Sequence, residues 1–152
     1  MNKIAVFPGS FSPFTLGHKS IVDRALPLFD KIIIAIGINS EKKEYFSVEE
    51  RKQWIQKVYK SNSKLEVQFY EGLTVDFCEK VGANYILRGL RDSHDFKYEK
   101  NIAHTNTDLN DEVETIFFIT PTEISHLSSS IIRDIIKNGG DVSQFLPKEI
   151  DL

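Results

Sequence analysis

The sequence predicts an α/β fold, a Rossmann-like five-stranded parallel sheet with helices on both faces. Three observations point there. Apolar strand-like runs alternate with helical patterns about five times, the order that builds parallel sheets through right-handed crossovers. The run Lys31-Ile-Ile-Ile-Ala-Ile-Gly-Ile38 is apolar on both of its faces, as suits an interior strand covered by helices on each side. No repeat, low-complexity stretch or linker interrupts the alternation over 152 residues. The expectation is therefore one domain, 1-152, with enough chain for a single core.

Each element has a local reason. Ile4 to Phe7 is a short apolar strand that enters a turn rich in Pro, Gly and Ser. A helix starts near Thr15, with Leu16, Ile21, Val22, Ala25 and Leu26 on one side. It is expected to run to about Phe29 and to bend or stop near Pro27, which costs a helix interior ~3 kcal/mol. After the second strand comes a polar loop, Asn39 to Phe46, and Ser47-Val-Glu-Glu50 is a capping box that opens a helix through Trp54, Ile55 and Val58. Leu65 to Phe69 alternates as a strand, and the helix from about Leu73 to Val81 is ended by Gly82. Tyr85 to Leu87 reads as a short strand running into a loop, Arg88-Gly-Leu-Arg91, before a polar helix from about Ser93 to Thr107. Glu114 to Ile119 is the last strand. A loop from Thr122 to Leu127 then leads to a helix, Ile131 to Lys137, opened by Ser128-Ser-Ser130 and stopped by Gly139-Gly140.

Composition narrows the function classes. Lys and Arg number 19 against 22 Asp and Glu, a formal charge of −3. That balance gives no reason to expect nucleic acid as a partner, while leaving room for a local basic cluster that holds a small phosphorylated ligand. Cys78, the single cysteine, lies in an apolar helical pattern with Leu73, Phe77 and Val81 and reads as a buried, inert thiol. With no signal-peptide pattern and no apolar run near the ~18 residues of a membrane span, the expected location is the cytoplasm, away from membrane.

In parallel sheets ligands bind outside the carboxyl ends of the strands. The loops that follow strands collect the unusual residues: Ser10 and His18 in the first, Lys42 in the second, two arginines around a glycine at 88–91, and the serine triplet 128–130. A strand passing through a glycine turn into a helix N-terminus can face backbone N–H groups to phosphate. Arginine's planar fork suits phosphate oxygens. Together these residues suggest a pocket for several phosphates, although neither G-x-x-x-x-G-K-[ST] nor G-x-G-x-x-G occurs. Plainer readings exist for each: His18 as a surface residue, Lys42 and Lys43 as a solvated loop, Arg88 and Arg91 as partners of Asp92 and Asp95, the serines as an N-cap. Asp95 and Glu99, four apart, are most simply helix surface charges. The joint placement after strand ends favours function.

Pro8-Gly-Ser-Phe11 followed by Thr15-Leu-Gly-His18 resembles the T-x-G-H active-site motif of the nucleotidylyltransferase superfamily. Leu87-Arg-Gly-Leu-Arg91 with Asp95-Phe-x-Tyr-Glu99, and Ser128-Ser-Ser130 with Gly140-Asp-Val and Phe145-Leu-Pro147, extend the similarity over essentially the whole chain. Together they resemble the bacterial phosphopantetheine adenylyltransferase family. The resemblance implies transfer of an adenylyl group from ATP to 4′-phosphopantetheine, giving dephospho-coenzyme A and pyrophosphate. By the same resemblance Ser10, Lys42, Thr74 and Arg88 would hold the pantetheine substrate. ATP would be held by Ser10, Phe11, His18, Gly89, Leu90, Arg91, Glu99 and the loop Ile124, Ser125, His126, Leu127, Ser128, Ser129 and Ser130. His18 and Lys42 are the candidates for stabilising the transition state. No carboxylate cluster has the spacing of a metal cage, so Mg²⁺ is expected to arrive with ATP, held by phosphates and water. The family forms homo-hexamers, and a homo-oligomer is expected.

Two sites depart from the family pattern. Ser12 stands where Asp is usual, and His126 with Leu127 where an aromatic and an isoleucine are common. Ser12 puts in doubt whatever the acid normally does in this turn, and His126 bears on the adenine side. The rival readings are another small nucleotidylyltransferase, with a different phosphate as acceptor, and a non-catalytic ATP-binding sensor.

Overall fold

The computed structural model describes residues 1–152. Ten regular elements alternate as expected: β1 (Ile4–Gly9), α1 (Leu16–Ala25), β2 (Lys31–Gly37), α2 (Val48–Val58), β3 (Leu65–Tyr70), α3 (Thr74–Val81), β4 (Tyr85–Leu90), α4 (Ser93–Leu109), β5 (Glu114–Ile119) and α5 (Ser129–Lys137). The strands form one sheet in the order β3-β2-β1-β4-β5, every adjacent pair parallel.

Side-chain alternation divides the core between the two faces of this sheet. Ala5, Phe7, Ile32, Ile34, Ile36 and Leu87 face α1, α2 and α5 through Val22, Ile55 and Ile132. Val6, Ile33, Ala35 and Ile86 face the opposite way, toward Val75, Phe77 and Cys78 of α3. A strand such as β2, buried at Ile32 through Ile36, therefore needs apolar residues at every position. Cys78 is fully buried, as the sequence suggested, and burial pushes its thiol up to about 11.

Helices α1 and α3 end where expected, near Pro27 and at Gly82, while α4 runs on past Thr107 to Leu109. Helix α1 stops at Ala25, and Pro27 sits in a 3₁₀ turn, Leu26–Leu28, where a missing N–H is tolerated. Gly82 ends α3 with φ +70°, the left-handed conformation that favours glycine. The larger correction concerns β4. Arg88, Gly89 and Leu90 are strand, not loop, because β5 pairs with them through Arg88↔Phe117, Gly89↔Phe118 and Leu90↔Ile119.

Candidate active site

The site begins where the sheet comes apart. Strand β1 stays paired with β2 out to Gly9↔Ile36, but with β4 it pairs only at Ala5↔Tyr85 and Val6↔Ile86. Pro8 explains the early end of that ladder. Its carbonyl accepts from Arg88 Nη1 at 3.1 Å, so its nitrogen also lies on the β4 side, and proline has no N–H to give. The crevice opens between β1 and β4, the point at which strand order reverses.

A cavity of about 330 Å³ fills this crevice, bounded by Gly9, Ser10 and Phe11 from the turn and by Arg88, Gly89 and Arg91 at the end of β4. Two helix N-termini border it, Thr15 and His18 of α1 and Ser128 and Ser129 of α5. Aligned peptide dipoles and unsatisfied first-turn N–H groups make such termini attractive to anions. Gly89 brings one of them close. A Cβ there would lie 2.4 Å from Ile21 Cδ1, the terminal methyl of a side chain on α1, so a larger residue would make Ile21 turn aside.

His18 is fixed by the helix cap. Thr15 N–H donates to His18 Nδ1 at 2.9 Å, while His18 N–H donates to Thr15 Oγ1 at 3.4 Å, a reciprocal capping box. An imidazole nitrogen that accepts a backbone N–H carries no proton, so the ring proton resides on Nε2. The ring stacks on Phe14, 5.4 Å between centroids, and meets Phe11 edge-on at 5.0 Å. Burial, then the charges of Arg88 and Arg91, lower its pKa to about 4. At neutral pH His18 is an uncharged N–H donor.

The arginines are anchored by carboxylates. Arg88 donates Nε and Nη2 to the two oxygens of Glu99 at 2.8 and 2.5 Å. Burial works against its charge, but Glu99 outweighs this and holds Arg88 above the ordinary arginine value. Arg91 donates through Nε to Asp95 at 3.0 Å; burial raises the Asp95 carboxyl, and the bonds from Arg91 more than reverse this. Glu99, buried at 8% exposure, is therefore not a helix surface charge, and its side chain serves Arg88 across 11 residues. Asp95 pairs with Arg91, as one of the plainer readings allowed; the partner of Arg88 is neither Asp92 nor Asp95.

The turn between β1 and α1 is held from behind by its carbonyls. Besides Arg88 on Pro8, Arg51 Nη1 donates to Ser10 O at 2.6 Å, Arg133 Nη1 to Ser12 O at 2.6 Å, and Ser129 Oγ to Pro13 O at 2.8 Å. Phe11 holds a φ of +49°, uncommon outside glycine, with its ring 2% exposed among Phe7, Phe14 and His18.

Two further cavities adjoin the crevice. One, about 550 Å³, is basic: Lys42, Lys43, Arg51, Arg133 and Lys137 line it with Ser10 and Ser12, and its one carboxylate, Glu44, is paired with Arg51. Ser12 is thus a neutral residue in a lining rich in cations. The other, about 190 Å³, shares Pro8, Gly9, Arg88 and Glu99 with the crevice and continues to Tyr70, Thr74, Asn106 and Thr115. Tyr70 and Thr74 are joined there through their hydroxyl oxygens at 3.1 Å.

Residues 6–135 match the cytidylyltransferase-like family. A phosphopantetheine adenylyltransferase of Flavobacterium psychrophilum is 55% identical over 96% of this chain and 96% of its own, and that of Flavobacterium johnsoniae is 51% identical over 96% and 95%. The chain belongs to the phosphopantetheine adenylyltransferase family. Among solved structures, a bifunctional NMN adenylyltransferase/ADP ribose pyrophosphatase from Francisella tularensis superposes with a TM-score of 0.74 at 21% identity, over 96% of this chain. The chain spans 45% of that longer protein, and the likeness is one of fold.

Against this family's motifs the structure gathers most of the residues singled out from sequence, in three compartments. Ser10, Phe11, His18, Arg88, Gly89, Arg91, Glu99, Leu127, Ser128 and Ser129 line the crevice. Thr74 lies in the small cavity and Lys42 in the basic one. Leu90 does not line the crevice; as the last residue of β4 it is buried at 8% exposure. Ile124 closes a 3₁₀ turn, Thr122–Ile124, which with Ser125 and His126 lies outside the crevice lining. Ser128 is the N-cap of α5, accepting from Ile131 N–H at 3.2 Å, so the plain N-cap reading holds for it while Ser129 braces the turn. Ser130 accepts from Arg133 Nη2 at 3.3 Å. Sequence reading missed Arg51 and Arg133. Arg51 shares the Val48-Ile55 face of α2, a core face, and a charge there is the available signal.

Proposed function

We propose that this chain transfers the adenylyl group of ATP to 4′-phosphopantetheine, releasing pyrophosphate and forming dephospho-coenzyme A. One observation carries the reading within the family: a neutral His18, its Nε2–H free of the cap, sits with Arg88 and Arg91 in a crevice bordered by two helix N-termini. That arrangement suits charge building up on phosphorus-bound oxygens.

The acceptor's phosphate has a second pKa of ~6 and is largely anionic at neutral pH, so no general base is required. Catalysis then consists of alignment plus electrostatic stabilisation. His18 donates Nε2–H to the α-phosphoryl oxygens as negative charge gathers there. Lys42 supplies charge from the basic cavity, which shares Ser10 with the crevice. Arg91 and the start of α5 at Ser129 and Ser130 hold the β and γ phosphates as the leaving group, while Ser10, Lys42, Thr74 and Arg88 hold the pantetheine substrate. Phe11, Gly89, Leu90, Glu99 and the segment 124–128 take the rest of the ATP. Of the two departures, Ser12 has its carbonyl held by Arg133, and His126 lies outside the crevice lining.

The nucleotide enters as Mg·ATP. Asp95 and Glu99, the crevice carboxylates, are engaged by Arg91 and Arg88, which leaves phosphate oxygens and water as the ligands of the ion. We further place the chain in the cytoplasm as one domain that assembles into a homo-hexamer. The lone buried thiol fits a reducing compartment, no helix is long and apolar enough to cross a membrane, and exposed Phe96, Tyr98 and Ile119 offer apolar contact surface. Sedimentation of the purified protein tests the assembly.

The deciding experiment is pyrophosphate release from Mg·ATP with and without 4′-phosphopantetheine, nicotinamide mononucleotide serving as the competing acceptor. Release dependent on phosphopantetheine is expected. Release dependent on the other acceptor would overturn the substrate assignment, and ATP binding without any release would support the sensor reading.

A further inference from the structure

We propose that Arg51 is a positioning residue that locks the turn bearing Ser10 to the loop bearing Lys42, so that two groups given to the acceptor are held at one separation. The inference rests on the functional reading above. Arg51 is 1% exposed, in a position where an arginine is rarely found unless its charge is paired. Its fork reaches three segments at once. Nη1 donates to Ser10 O in the β1–α1 turn at 2.6 Å, Nε to Ser47 O at the cap of α2 at 3.3 Å, and Nη2 pairs with Glu44, two residues beyond Lys42.

Arg88, Arg133 and Ser129 also hold carbonyls of this turn, but none of them is bonded to the loop 39–46. Arg51 alone joins the two. Stability does not account for it, since replacing a buried ion pair by apolar side chains of similar volume is often neutral or favourable. What a guanidinium adds is a planar fork, with Nη1 on Ser10 and Nη2 on Glu44. Lysine offers no such fork.

The test is a double-mutant cycle between Glu44→Gln and Lys42→Ala, read by pyrophosphate release at saturating Mg·ATP. Gln keeps a side-chain oxygen that can accept from Arg51, and thermal melts of both single variants are run alongside to separate a loss of fold from a loss of positioning. Alone, Glu44→Gln is expected to lower kcat/KM for the acceptor about 10-fold, the size of one charge-assisted hydrogen bond, with the KM for Mg·ATP unchanged. In the Lys42→Ala background the same substitution is expected to change the rate by less than about twofold, because its effect passes through Lys42. Arg51→Lys keeps the charge without the fork and should behave like Glu44→Gln. Additive losses in the two backgrounds, or an equal rise in the KM for Mg·ATP, would overturn the positioning role. An unmodified protein that releases no pyrophosphate with this acceptor would instead refute the functional reading, and this role with it.

Discussion

His18 does three separable things, and substitutions can take them apart. Alanine removes the acceptor of the Thr15 N–H, worth about 1 kcal/mol as a helix cap. It also removes the ring packed on Phe14 and Phe11, about 1 kcal/mol of aromatic contact. Finally it removes the Nε2–H donor to the transition state, about 3 kcal/mol or roughly 100-fold in rate. His18→Ala should therefore lower Tm by about 4–8 °C, at ~2–4 °C per kcal/mol for a chain of this size, and turnover by at least ~100-fold. His18→Glu restores a capping box, since Thr15-Leu-Gly-Glu has the S/T-x-x-E pattern, and should recover about half of the lost stability while supplying no donor. Its turnover should be no better than that of the alanine variant. Thermal melts and pyrophosphate release on the same samples measure both quantities. A folded alanine variant turning over within tenfold of the parent, or an active glutamate variant, would refute the role assigned to His18.

The acid behaviour of His18 in the free protein follows from the same cap. Its folded pKa of about 4 lies below the ordinary 6.5, so its neutral form contributes stability in full above pH 6.5, and the contribution is lost as pH falls from there through 4. An NMR titration of its ring should show a midpoint near 4, and a midpoint at 6.5 would contradict the buried, acceptor geometry of Nδ1. Gly89→Ala should cost about 1 kcal/mol, since Ile21 Cδ1 can rotate away from the added methyl, and Ile21→Val in that background, which deletes that methyl, should return part of it; strictly additive denaturant midpoints would disprove the contact. Chelation of Mg²⁺ should abolish pyrophosphate release while leaving Tm of the nucleotide-free protein unchanged; a drop in that Tm would reveal a resident ion that the proposed role of Mg·ATP does not include.

Local signals carried most of the architecture. β5 runs from Glu114 to Ile119 as its apolar pattern required, and Ser47 and Glu50 form the reciprocal cap that their spacing announced. β4 was read short because Arg88 and Gly89 are poor strand residues on their own. What keeps them in the ladder is tertiary: β5 on one side, Glu99 and the Pro8 carbonyl satisfying the guanidinium on the other. The same limit hid the roles of Arg51 and Arg133. Each sits in a helix, where a charge is ordinary, and its partner is a carbonyl 41 or 121 residues away. Ser10, His18, Arg88 and Arg91 were legible because strand ends converge on them. That Ile124, Ser125 and His126 stand outside the crevice depends on how a 3₁₀ turn leaves β5, which no periodicity encodes.

The solitary thiol of Cys78 gives the molecule a built-in clock for its own opening. It is inaccessible on the α3 face of the sheet, and with its pKa near 11 the thiolate fraction at neutral pH is on the order of 10⁻⁴. Two barriers, steric and electrostatic, thus fall together when α3 lifts from β1 and β2. Labelling by a thiol reagent then counts the openings, local or global, that uncover that layer, and no second cysteine competes for the reagent. Ligands that close the crevice bear on the far ends of the same strands, and the labelling rate would reveal how far along the sheet their grip is felt.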